Sequence, residues 1–83
     1  MPLAAWRLTG IRAHDRLAAL LRRHGYWVTV YGRDIRTLDI VGDASPWPLL
    51  GGFATAMVRL QEVPWTALAP RFRQRLPITA LAR

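Results

Sequence analysis

Lysine, asparagine and cysteine are absent from this 83-residue chain, and serine occurs once. Each absence excludes something. Without cysteine there is no disulfide scaffold, no zinc knuckle and no thiol nucleophile, and a reducing cytoplasm is the expected compartment. Without lysine, all twelve basic side chains are arginine. Arginine is a permanently charged planar fork that pairs two-pronged with carboxylates and phosphates and stacks on aromatic rings. The joint loss of lysine and asparagine is also what GC-rich codon use imposes on a protein of any function. The opening residues 1–7 lack the basic start and apolar run of a secretory signal. The longest apolar stretch, residues 47–58, is about twelve residues long, short of the roughly 20 a bilayer span needs, so no integral membrane association is expected.

What is present is apolar and positive. Hydrophobic residues make up 52% of the chain, including four Trp, and the formal net charge is +7. The length predicts one domain over residues 1–83, with 77–83 as a frayed tail. A domain of this size buries only about 60% of the surface its unfolded chain exposes, so apolar surface is expected to remain for a partner, either another copy of the chain or a different protein.

Along the chain, residues 9–25 read as a helix. Leu17, Leu20, Leu21 and His24 fall on one stripe, Thr9 is placed to cap the start, and Gly25 is placed to close the end. Residues 26–31 and 35–41, rich in β-branched and aromatic side chains, read as a β-hairpin. A three-residue loop of Gly32, Arg33 and Asp34 puts Val28 opposite Leu38 and gathers Trp27, Thr29 and Tyr31 on the other face. A two-residue turn shifts every pairing by one and reverses that assignment. Ser45 and Pro46 begin a second predicted helix over residues 46–62, on which Leu49, Leu50, Phe53, Met57 and Leu60 repeat at helical spacing. Gly51 and Gly52 oppose it by about 2 kcal/mol together. Residues 71–76 fit either a short helix begun at Pro70 or a strand. The fold class expected is α+β: helix, antiparallel hairpin, second helix, and a short C-terminal helix or strand. That order assigns no family.

No enzymatic signature emerges. His14 and Asp15 are neighbours and diverge around a helix, and His24 lies too far along to share a metal with His14. Ser45 lacks a glycine-flanked elbow, and Gly51-Gly52 lacks the following lysine of a phosphate loop. The chain is therefore read as a non-enzyme with no cofactor or metal, and binding remains. Arg12, Arg16 and Arg23 align along one side of the first helix. Trp27, Tyr31, Arg33 and Arg36 on the hairpin combine aromatics with arginine as interface hot spots do. Arg71, Arg73 and Arg75 form the densest positive cluster.

The last two groups are the expected partner-binding residues. The expected function is that of a small basic interaction protein that docks on an acidic surface of a larger protein and regulates or inhibits it, as phage and mobile-element inhibitors do. Arginine-mediated nucleic-acid binding is the alternative.

Overall fold

The sheet begins earlier than the sequence pattern suggested. The computed structural model describes residues 3–53 and 57–76. Ala4, Trp6 and Leu8 alternate with Ala5, Arg7 and Thr9 along a first strand, β1 (Ala4–Ile11). Thr9 therefore lies in a strand and does not cap a helix, which corrects the expected helix start. Gly10 follows at φ +85°, in a break of register between Leu8 and Ile11. That bend turns the chain into α1 (His14–Arg23).

The other end of α1 closes as glycine placement predicts. Gly25 sits at φ +90°; its N–H donates to the Arg22 carbonyl and that of Tyr26 to Leu21, each at 3.1 Å. These are the paired bonds of a Schellman motif, which satisfy carbonyls the helix itself leaves open. His24 Nδ1 lies 2.9 Å from the Leu20 carbonyl oxygen, a capping contact at the exposed helix end.

The hairpin consists of β2 (Trp27–Tyr31) and β3 (Arg36–Gly42). Its outermost pair is Tyr31 with Thr37, and Val28 faces Ile40. The register is thus two residues away from that of a three-residue loop, because five residues make the turn. A shift of two leaves every side chain on its expected face, since strand side chains alternate with period two. Val28 and Val30 stand with Leu38 and Ile40, and Trp27, Thr29 and Tyr31 stand on the reverse.

Residues 46–62 do not form the expected helix. A 3-10 turn at Trp47–Leu50 is followed, beyond Gly51 and Gly52, by a fourth strand, β4 (Arg59–Val63). Ser45 still does local work: its Oγ accepts from the Trp47 N–H at 3.3 Å. Leu49, Leu50, Phe53 and Leu60 all pack on the main core, so the apolar positions were read correctly and the period was not. A second 3-10 turn, Trp65–Ala67, leads to α2 (Pro70–Arg75). This is the helical option for the C-terminal segment. The expected tail at 77–83 lies outside the described residues.

All pairings are antiparallel, in the order β2-β3-β1-β4. One sheet thus carries a layer on each side, in a small α+β domain. On one face Trp6, Leu8, Val28, Leu38 and Ile40 pack with Leu17, Ala18 and Leu21 of α1. On the other, Ala5, Val41 and Val63 pack with Leu68, Phe72 and Leu76 from the α2 segment. Arg22 reaches from α1 to the edge of the sheet, where its Nη2 donates to the Val28 carbonyl of β2 at 2.8 Å.

Candidate docking surface

Register and alternation fix the α2 side of the sheet in three rows. The first, Trp27–Val41–Ala5–Val63, lies at the α2 end. The second is Thr29–Asp39–Arg7–Gln61. The third joins Tyr31 with Thr37, and Thr9 with Arg59. The α2 layer packs on the apolar first row, and the rows beyond it carry hydroxyl, amide and guanidinium groups.

The middle row holds a buried acid. The Asp39 side chain is fully buried. It accepts from Arg7 Nε at 2.9 Å and Arg7 Nη2 at 3.2 Å, and from the Tyr31 hydroxyl at 3.1 Å. Arg7 Nη2 also donates to the Ala67 carbonyl, tying the sheet to the second 3-10 turn. A buried carboxylate survives only when paired and hydrogen-bonded in this way. The hydrogen bond to Asp39 raises the Arg7 pKa, against the opposing effect of burial.

Tyr31 is thereby held by its hydroxyl while the residue stays 38% exposed, and Trp27 on the same strand is 37% exposed. Burial, followed by the charge of Asp39, pushes the Tyr31 phenol above its ordinary 10.0. Burial does the same to Tyr26. A phenol raised in the folded state contributes stability that is present below the unfolded value of about 10 and lost as pH rises through the folded value. Urea midpoints should accordingly be level from neutral pH to about 9 and fall above about 10. Tyr31→Phe should lower stability at pH 7 by about 1 kcal/mol, the worth of one hydrogen bond, and flatten the alkaline fall; an unchanged alkaline slope would refute the assignment.

Of the residues expected to bind a partner, Trp27 and Tyr31 share this face, and α2, carrying Arg71, Arg73 and Arg75, packs on the same side. Arg71 and Arg75 are exposed, whereas Arg73 is half-buried with its Nε lacking a hydrogen-bond partner. Arg33 is exposed in the turn at the far end of the hairpin. Arg36 is also exposed, but it has the strand parity of Leu38 and Ile40 and so belongs to the α1 side. The hairpin group is therefore divided between the two faces. Arg59, which was not among the expected site residues, is exposed on the α2 side through its register with Thr9. The sign that would have revealed it is the alternation of Arg59, Gln61 and Val63, hidden under the helical reading of that segment.

Electrostatically the face is one-signed. By parity Glu62 pairs with Trp6 and belongs to the α1 side. Asp39 is then the one acid among the described strand residues of the α2 face, and Arg7 already matches its charge. Arg59, Arg71 and Arg75 enter no ion pair among the described residues. Among those residues no three His, Cys, Asp or Glu side chains are grouped to hold a metal, and no helix is long and apolar enough to cross a membrane. The fold and site define the chain as a small α+β domain with a basic, aromatic-edged sheet face. No family model, no curated protein and no solved structure matches it.

Proposed function

We propose that the protein is a non-enzymatic docking module that sets its α2-side face against an acidic surface of a larger cytoplasmic protein, and regulates or inhibits that partner by occupying it. One observation carries the reading: the face has exposed Trp27 and Tyr31 at its edge and unpaired arginines around it, while its buried acid is internally neutralised. Aromatics and arginine supply affinity in interfaces, and charge of one sign steers the encounter and sets orientation. Because Asp39 is neutralised by Arg7, it presents no repulsion to an acidic partner.

Nucleic acid is the second reading, and one feature favours it. Thr9, Thr29, Thr37 and Gln61 are scattered in sequence, yet the register gathers them beside Tyr31 and Arg59. Hydroxyl, amide and guanidinium donors of this kind contact phosphates, and a tyrosine ring or guanidinium plane stacks with bases.

The test is retention of cell-lysate components on the immobilised chain, with and without nuclease, at low and moderate salt. Docking on a protein predicts one defined protein that survives nuclease. Trp27→Ala with Tyr31→Ala, and separately Arg71→Ala with Arg75→Ala, should each weaken its binding at least about tenfold, the effect of losing a hot-spot contact. Retention only of nucleic acid, falling steeply with salt, would overturn docking in favour of the second reading.

A further inference from the structure

The opposite side of the molecule carries a second feature, independent of the docking face. Where β1 bends into α1, a cleft of about 580 Å³ opens between the start of the helix, the hairpin turn and residues 52–53 and 57–58. Its apolar walls include Ile11, Ile35, Phe53 and Val58, and its charged lining is Arg12 and Arg16. Among the described residues no acid lines it. The volume falls within the roughly 300–1,000 Å³ of small-molecule pockets, which are mostly apolar with a few convergent polar groups.

The cleft exists because of the backbone. Gly10 packs so closely on Met57 and Val58 that a Cβ there would meet the Met57 carbonyl oxygen. This approach brings the 57–58 segment alongside the β1 bend and forms one wall. Ile35, at 49% exposure, stands in the hairpin turn as another part of the lining. Both arginines are exposed and enter no ion pair among the described residues. Arg12 lies just before the N-cap Ala13, Arg16 lies in the first turn of α1, and both line the cleft.

From these observations we infer that the cleft binds a small amphipathic anion: an apolar body against Ile11, Ile35, Phe53 and Val58, and a carboxylate or phosphate head between Arg12 and Arg16. Each half of that ligand is required. A neutral apolar molecule leaves the guanidiniums without a partner, and a bare anion leaves the apolar walls in water. Arginine is suited to the head because its fork pairs with two oxygens at once, and the open cleft spares it the desolvation of a deeply buried charge.

Isothermal titration calorimetry of the full chain with sodium decanoate, kept below its micellar concentration, tests the proposal. Decanoate should bind with one-to-one stoichiometry, and acetate and 1-decanol should each bind at least tenfold more weakly. R12Q combined with R16Q should reduce decanoate affinity at least tenfold with an unchanged circular dichroism spectrum, and I35Q, which leaves both charges in place, should reduce it severalfold. R71Q combined with R75Q, on the other face, should have no effect. Equal binding of 1-decanol and decanoate, indifference to the R12Q/R16Q pair in a folded chain, or absence of saturable decanoate binding would overturn the assignment. None of these results bears on the docking face, whose variants are read by partner retention.

Discussion

Arg7→Met should remove about 3–5 kcal/mol of folding stability, the loss expected when one member of a buried charge pair is deleted. A domain of this length is stable by only about 4–12 kcal/mol, at 0.05–0.15 kcal/mol per residue. The loss is therefore between about a quarter and the whole of that stability. The loss arises at Asp39, which would keep a fully buried carboxylate with the Tyr31 hydroxyl as its remaining side-chain partner. The opposite change is milder. In Asp39→Asn, the Arg7 side chain is already 26% exposed, so water can take over part of its solvation, and the loss should be about 1–3 kcal/mol. Replacing both, as Arg7→Met with Asp39→Leu, should recover most of the stability, because an apolar pair leaves no stranded charge. Urea denaturation, with midpoint and slope analysed together, measures all three variants. A loss below about 1 kcal/mol in Arg7→Met would show that Arg7 is not what compensates the buried Asp39 charge.

The second large effect is expected at Gly10. Its φ of +85° is strained for any side chain, and an added Cβ would meet the backbone of Met57. The conformational part is about 1–2 kcal/mol and the steric part about 1–3 kcal/mol. Gly10→Ala should thus destabilise the fold by about 2–4 kcal/mol, allowing for partial relaxation. Gly51→Ala is the matched control. Gly51 has helical angles and nothing within 4 Å of an added Cβ, so the same substitution there should be neutral or stabilising by about 0.5–1 kcal/mol. Thermal and urea midpoints of the two variants should move in opposite directions or differ sharply in size. Similar shifts would mean that the close approach at Met57 is not what Gly10 provides.

These two glycines also show what local sequence could and could not convey. The body of α1, its glycine closure and the facial alternation of the hairpin rest on neighbours within a few residues, and all were legible. The Arg7–Asp39 pair joins residues 32 positions apart, through a β1–β3 pairing that no local pattern announces. The segment after Pro46 was misread for a related reason. A turn followed by a strand delivered Leu49, Leu50, Phe53 and Leu60 to the same core that a helix would have used. Spacing alone does not separate the two solutions, and the glycine pair was the better guide. Once that segment became β4, Arg59 joined the candidate surface and Glu62 left it. Alternation put Trp27 and Tyr31 together on one face of β2, but which face stays exposed depends on the turn length and on what packs against the sheet. The one-signed character of the whole face depends on strand order, which lies beyond any window of sequence.

The Arg22 guanidinium on the Val28 carbonyl bears on how a partner can arrive. An outer strand usually offers its unused backbone groups as a template on which a foreign strand can continue the ladder. In β2 the Val28 carbonyl accepts from Arg22 of the protein's own helix. A strand arriving at this margin meets the Arg22 guanidinium beside Val28, whereas Trp27 and Tyr31 are already exposed. The outer strand is thus biased towards recognition by side chains, and the same contact guards a small, apolar-rich chain against zipping onto copies of itself.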